Sequence, residues 1–296
     1  MLQQLLEYFD SNSLWHPNHG FRQNHSTATV LSQIYDTWIR NAEKKKLTAS
    51  LLLDLTAAFD VVDHRILLDK LKLYNFSNKT LECFESYLNE RKQVVIVESR
   101  MSDPKDVGDQ SVPQGSMLGT VLFLIFYNDF PATRKEDEEE EESSVLYADD
   151  DSDMVSDADP QARKAKIQEV ADESTSWVHD NKLVSSGTKT KLLVAGTKEL
   201  RRSKLKDQQI VIKVAGHEVK ESESERLLGV VVNNKMTWEN HLCGDDSNIG
   251  LLAKLHQRAA MIQKLSYVVP THRLKLLAEG IFLSLLNYCI EIYSNT

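Results

Sequence analysis

The sequence predicts a mixed α+β fold with a helical piece appended toward its C-terminal end. Three observations lead there. Stretches with apolar residues at three- and four-residue spacing alternate with short apolar runs of strand length. One of those runs ends on an acidic residue, and another leads straight into an acid cluster. From about residue 245 onward the pattern is helical alone. With 296 residues and 41% hydrophobic content, the chain can bury a sizeable core.

Residues 1–20 read as a short helix followed by a Pro17/Gly20 loop. Ala28, Val30, Leu31, Ile34, Trp38 and Ile39 repeat at helical spacing after Ser26, whose hydroxyl can cap free amides, so a helix is expected over 26–46. Ser50-Leu51-Leu52-Leu53-Asp54-Leu55 is short, apolar and flanked by polar residues, which reads as a buried strand. Helical spacing returns from Asp63 to Leu73 and from Lys79 to Asn89. Gln93–Val97 reads as a strand, and Ser116–Tyr127 as an apolar helix after a loop punctuated by Pro and Gly. Residues 132–143 are acidic and low in complexity, as in a solvated or disordered loop. Val145-Leu146-Tyr147 and Met154-Val155 then flank an acid cluster as two strands of a hairpin, with Asp149 to Ser152 at its turn. A long helix over 162–181 precedes strands at 191–194, 210–214 and 227–232, and Pro270 breaks the helical C-terminal stretch.

Bulk chemistry narrows the function classes. The longest apolar run, Met117–Phe126, is about half the ~20 residues a bilayer span requires, so no membrane partner is expected. MLQQLLEYFD at the N-terminus carries acids where a secretory signal carries bases. Cys83, Cys243 and Cys289 are dispersed, which points to an intracellular, reduced protein with neither a zinc nor a disulfide framework. The net charge of −9 argues against a nucleic-acid partner only until its distribution is read. Thirteen acids and one lysine lie between 135 and 159, so the remaining chain is net positive. It carries basic clusters at Lys44-Lys45-Lys46, Arg91-Lys92 and Arg201-Arg202.

Tyr147-Ala148-Asp149-Asp150 raises the chemical question. Adjacent carboxylates at a hairpin apex raise each other's pKa unless cations share the site. Mg2+ takes oxygen ligands, commonly one or two carboxylates plus substrate phosphates. Two-metal nucleotidyl transfer therefore draws acids from separate segments, and Asp54 at the end of a strand is the best second source. On charge alone a solvated turn is an equal reading.

Six ordered blocks bear on that choice. LLLDLTAAFDVVDH (51–64), SVPQGSMLGTVLFLIFYNDFP (111–131) and VLYADD (145–150) resemble motifs A, B and C of reverse transcriptases from LINE-type (non-LTR) retrotransposons. HGFRQNHSTATVL (19–31) is similar to that family's fingers motif, and WVHDNKLVSSGTKTKLLVAG (177–196) resembles its motif D. LLGVVVNNKMTWENHL (227–242) resembles the segment entering the thumb. The resemblance implies a right-hand polymerase palm, an antiparallel sheet with helices. Residues 1–48 would be partial fingers, 49–235 the palm with motifs A to E, and 236–296 an incomplete, helical thumb-like segment. A chain beginning just before the fingers motif would be a truncated copy.

The same resemblance implies RNA-directed DNA synthesis, with attack of a primer 3′-hydroxyl on a dNTP. Asp54, Asp149 and Asp150 would hold two Mg2+ ions, with Mn2+ as a substitute, and the Leu55 carbonyl would add an oxygen ligand. Phe59 would be a steric gate against a ribose 2′-hydroxyl; taken alone it reads as core packing. Gln114 would lie under the incoming nucleotide. Gly115 and Gly119 would let backbone approach it, although glycines there equally punctuate a helix start. Tyr147 would pack near the primer end and Lys189 near the pyrophosphate. Arg22 would help the fingers grip template or nucleotide. Asp60 and Asp63 would cap a helix, His64 would be structural, and Asp151 and Asp153 would be solvated. The partners would be an RNA template, a DNA primer and dNTP, in the nucleus, with the oligomeric state left open. Other classes remain as alternatives: a catalytically silent remnant that binds nucleic acid, or an interaction protein whose acidic loop recruits a basic partner.

Overall fold

The computed structural model describes residues 2–16, 18–130, 142–205 and 209–294. Two helices come first, α1 (Leu2–Ser11) and α2 (Thr27–Glu43). The Ser26 hydroxyl accepts from the Thr29 amide and the Ser26 amide donates back to the Thr29 hydroxyl, so α2 starts where its capping residue dictates. Strand β1 (Leu47–Leu53), helix α3 (His64–Leu73) and helix α4 (Asn78–Leu88) follow. Next come four two-residue strands, β2 (Lys92–Gln93), β3 (Ile96–Val97), β4 (Arg100–Met101) and β5 (Lys105–Asp106). Helix α5 (Met117–Tyr127) is capped by Ser116. Strands β6 (Glu142–Tyr147) and β7 (Asp150–Asp157) form a hairpin that leads into α6 (Pro160–Asp180).

Strand β8 (Lys191–Ala195), helix α7 (Lys198–Leu205) and strands β9 (Val211–Val214) and β10 (His217–Ser222) continue the chain. A second hairpin pairs β11 (Ser224–Leu227) with β12 (Val230–Asn233). The remainder is helical: α8 (Glu239–Cys243), α9 (Leu251–Leu265), α10 (Thr271–Leu277), a π-helical stretch (Ala278–Leu283), α11 (Ser284–Asn287) and α12 (Ile290–Tyr293). Among the described residues no helix is long and apolar enough to cross a membrane.

Six strands make one sheet in the order β6-β7-β1-β8-β10-β9. β1 is central and runs antiparallel to both β7 and β8, while β8 and β10 pair in parallel. Side chains alternate across a strand, so each face of β1 has its own layer. Leu47, Ala49, Leu51 and Leu53 join Val155, Leu192 and Val194 in a cluster that takes in α3, α5 and α6. On the other face Ser50 and Thr48 meet α2, accepting from the Trp38 indole and the Asn41 amide. Met154, Leu193 and Ala195 join Val30, Leu31, Ile34 and Trp38 of α2 in a second cluster that also includes Leu227, Val230 and Val232. In the first layer the Lys70 ammonium lies 4.6 Å from the centroids of the Phe126 and Trp177 rings and donates to the Asp129 carboxylate at 2.6 Å.

Four expectations change. Gln93–Val97 is not one strand of the sheet; β2 pairs with β5 and β3 with β4 as small ladders, leaving Val94 to Val97 exposed. A β-branched run signals extended backbone without saying what it pairs with. Residues 227–232 are two strands, because Leu228 and Gly229 both take positive φ (46° and 85°) and turn the chain back. The acid-cluster turn is shorter than 149–152, since Tyr147 already pairs with Asp150. The acidic stretch expected as a loop over 132–143 lies mostly outside the described residues, and its last two positions, Glu142 and Ser143, belong to β6. α7 and β10 carried no signal strong enough to anticipate.

Leu51 is fully buried on the central strand, so Leu51→Ala is expected to cost about 2–5 kcal/mol in urea denaturation. Val95→Ser on the exposed ladder segment is expected to stay within about 0.5 kcal/mol. Equal losses at the two positions would contradict this placement of the core.

Candidate active site

Strand register brings the acids into one place. Leu53 of β1 faces Asp151 of β7, so one step further along the same ladder sets Asp54 opposite Asp150. Alternation gives both acids the face opposite Leu53. Asp149 lies in the two-residue turn that joins β6 to β7, where Ala148 takes φ 58°.

The Asp54 backbone is held from the segment before β8. The Ser186 amide donates to the Asp54 carbonyl at 2.8 Å, and the Thr56 amide donates to the Val184 carbonyl at 2.8 Å. The Asp54 amide donates to the Thr190 hydroxyl, which itself donates to the Ser186 carbonyl. Lys189, at the expected Lys-Thr position, reaches to 3.6 Å between its ammonium nitrogen and Asp54 Oδ1.

Burial and neighbouring charge both act on the two turn acids. Burial raises the Asp149 pKa, a hydrogen bond from its own backbone amide offsets part of this, and the Asp54 charge adds to the rise. Burial, then the charges of Asp149 and Asp54, push Asp150 up to about 6. Lys189 brings a positive charge to Asp54. Among the described residues, no three carboxylate, imidazole or thiolate groups converge into a ready cation cage. The donor set still suits a divalent ion. Asp54 Oδ1 is buried and accepts no hydrogen bond, and the raised acids Asp149 and Asp150 are of the kind a cation would relieve.

The neighbouring expected residues have definite places. The Phe59 ring stacks on Phe123 with centroids 4.1 Å apart and meets the Phe21 ring edge-on at 6.3 Å. Gln114 donates its amide to Asp60 at 3.0 Å. Gly115 takes φ 79°, and a Cβ there would meet nothing within 4 Å, so its backbone faces open space. Gly119 differs from expectation: a Cβ would lie 2.5 Å from the Pro113 carbonyl oxygen, so this glycine serves packing within the chain. Leu55 is buried and bridges to Ser185, and Tyr147 is half-buried against the α2-side cluster. The His64 Nε2–H donates to the Ser111 carbonyl at 2.7 Å, a structural role as expected. Asp63 caps α3 through the Arg65 and Ile66 amides and pairs with Lys182 at 2.6 Å. Arg22 directs its guanidinium at the His16 and Asn18 carbonyls and over the Trp15 ring.

Asp151 and Asp153 are buried, not solvated. Both lie on the face of β7 that carries Val155 and therefore point into the α6-side layer. There the Ser144 hydroxyl donates to Asp151 and the Ser174 hydroxyl of α6 to Asp153. Asn18 was not anticipated either. Its carboxamide bonds to both backbone groups of Ala148. An asparagine in a Pro/Gly loop carries no mark of the strand turn it will meet, so sequence offers no signal for this contact.

An antiparallel-dominated sheet backed by helices, with acids from a central strand end and a neighbouring hairpin turn, defines the palm of a nucleic-acid polymerase. The profile of the family described as reverse transcriptase (RNA-dependent DNA polymerase) matches residues 1–232, and the chain belongs to that family. It is 25% identical over 225 residues to the RNA-directed DNA polymerase from mobile element jockey of Drosophila melanogaster, covering 75% of this chain and 24% of that protein. The jockey polymerase of Drosophila funebris is 26% identical over 279 residues, covering 93% of this chain and 29% of that protein. The probable RNA-directed DNA polymerase from transposon BS of Drosophila melanogaster is 34% identical over 117 residues, 39% of this chain and 13% of that protein. These relatives support the LINE-type assignment, and the chain spans about a quarter of the length of the jockey proteins.

Two solved structures share the fold. Apo telomerase from Candida tropicalis truncated from its C-terminal domain superposes with a TM-score of 0.53 at 13% identity, covering 79% of this chain and 43% of that one. Telomerase from Candida albicans in complex with a fragment of telomeric RNA gives a TM-score of 0.54 at 12% identity, covering 99% of this chain and 48% of that one.

The raised Asp150 pKa carries a stability consequence. A carboxyl whose folded pKa lies above its unfolded one favours the fold most at low pH, and that contribution is lost as pH rises through about 6. Asp150→Asn removes the titration. In chelator, the variant is expected to gain about 1 kcal/mol on the parent between pH 4.5 and 7.5, after allowing for solvent screening at this partly open position. Urea denaturation at both pH values checks this, and a constant offset would contradict it.

Proposed function

We propose that this chain is the polymerase core of a LINE-type reverse transcriptase, adding dNTP to a DNA primer on an RNA template. The observation that carries the reading is the β1–β7 register, which brings Asp54 to Asp149 and Asp150 in a member of the reverse transcriptase family. Residues 1–48 act in the fingers, 49–235 as the palm and 236–296 in the thumb. The site of action is the nucleus.

Asp54, Asp149 and Asp150 would hold two Mg2+ ions, with Mn2+ as a substitute, and the Leu55 carbonyl would add an oxygen. A divalent ion there would supply positive charge that favours ionisation of the primer 3′-hydroxyl and offsets charge on the triphosphate. The carboxylates fix the direction of in-line attack, so that the 3′-oxygen meets the α-phosphorus as pyrophosphate departs. The single ammonium of Lys189 lies beside Asp54, which supports a role as cation or proton donor to the departing pyrophosphate. Phe59, backed by Phe123 and edged by Phe21, forms a fixed aromatic wall that a ribose 2′-hydroxyl would strike. Gln114, tethered by Asp60, and the open backbone at Gly115 support the underside of the incoming nucleotide. Tyr147, next to the acid turn, packs beside the primer end.

Primer extension on an RNA template with Mg2+ tests the reading. Asp149→Asn is expected to lower the extension rate by about 100-fold or more. Phe59→Ala is expected to raise ribonucleotide incorporation relative to deoxyribonucleotide by about tenfold or more while extension persists. A parent chain that extends no better than Asp149→Asn would refute the polymerase reading.

A further inference from the structure

We infer that Asn18 is a positioning residue: its buried side chain clamps the Ala148 peptide and thereby aims the two acids that follow. The inference rests on the polymerase reading of Asp149 and Asp150. The hairpin loop between Tyr147 and Asp150 holds two residues, Ala148 and Asp149. Ala148 alone of the two takes a positive φ, the arrangement of a II′ turn, whose first position favours glycine. An alanine there is strained, so something outside the hairpin has to hold it.

Asn18 meets that requirement with the right chemistry. Its Nδ2 donates to the Ala148 carbonyl at 3.1 Å, and its Oδ1 accepts from the Ala148 amide at 3.1 Å. Oδ1 also accepts from the Gly20 amide at 2.8 Å. One carboxamide thus presents a donor and an acceptor to both backbone groups of one residue, as a neighbouring strand would. Asn18 is 6% exposed, so water cannot readily replace these bonds.

The surrounding chain reinforces the contact. Asn18 bridges to Leu146, and the His19 amide donates to the Leu146 carbonyl at 2.8 Å, so residues 18–19 extend the sheet beyond its edge strand β6. Gly20 lies so close that a Cβ would sit 2.3 Å from the Ala148 nitrogen. The loop therefore seats on the turn from outside while β7 pairs with β1 from inside. Asp149 and Asp150 leave a peptide held on both sides. Without Asn18 the turn is free to relax toward unstrained conformations, and the acids would move with it.

Asn18→Ala and Asn18→Gln in the full chain test this by three readouts. Hydrogen exchange of the 145–151 amides is expected to quicken about tenfold in Asn18→Ala, with the 191–195 strand unchanged. Half-saturation by Mn2+, followed by electron paramagnetic resonance without substrates, is expected to rise about tenfold. kcat for primer extension is expected to fall about tenfold or more, with the dNTP KM within about threefold and Asn18→Gln recovering part of the loss. Unchanged exchange at 145–151 would overturn the clamp. Faster exchange with unchanged Mn2+ affinity and kcat would reduce Asn18 to a structural role and overturn the positioning claim. A parent chain that binds Mn2+ but extends no primer counts against the polymerase reading, and exchange with Mn2+ affinity then decides the clamp. A parent that binds no Mn2+ and extends no primer has no acid site to position, which overturns both.

Discussion

Between β1 and β7 seven residue pairs fix one register, and a slip of a single residue would turn Asp54 and Asp150 to opposite faces of the sheet. The register is specified by burial on both sides. Leu47, Ala49, Leu51 and Leu53 must enter one layer, while Thr48 and Ser50 must find Asn41 and Trp38 in the other. Any slip exposes the leucines to polar partners and strands the hydroxyls among apolar side chains. The core therefore sets the chemistry's geometry, and the acids need no mutual attraction to meet. Burial raises Asp149 and Asp150 most, and the neighbouring acid charges add to the rise, so charge in fact opposes the meeting.

Helix starts were legible in the sequence because their determinants are local. Ser26, Asp63 and Ser116 each satisfy amides within the next turn, and each caps the helix it precedes. The acid trio was legible too, since ordered blocks placed Asp54 and the Asp149-Asp150 pair in one pattern. Asp151 and Asp153 were not. Four acids within five residues look alike in a sequence, but strand alternation turns two of them into the α6-side layer. Likewise, Leu228-Gly229 interrupts an apolar run that reads as continuous, because only backbone dihedrals reveal the turn. What escaped the sequence was the partner of each element, not its type.

Phe59 shows how core and site merge. Phe123, on which it stacks, belongs to an aromatic column continuing through Tyr127 to Phe130 and Trp177, with the Lys70 ammonium over the Trp177 and Phe126 rings. Core packing and the proposed contact with the incoming nucleotide fall to one ring. A wall so backed resists being pushed aside, which is what discrimination by a single steric contact requires.

The same connectivity has a consequence for how the protein comes to exist. Asn18 and Ala148 are 130 residues apart in sequence, and Asp54 and Thr190 are 136 apart. At ordinary synthesis rates Asn18 leaves the ribosome on the order of ten seconds before its partner is made. Until then the N-terminal loop has nothing to seat against. The helices can form early, but the loops that join these distant segments close late, against chain entropy. The contact that holds the Asp54 backbone is thus complete only once Thr190 has been made, and a chain that ends before it carries α1 to α6 and all three acids without that hold.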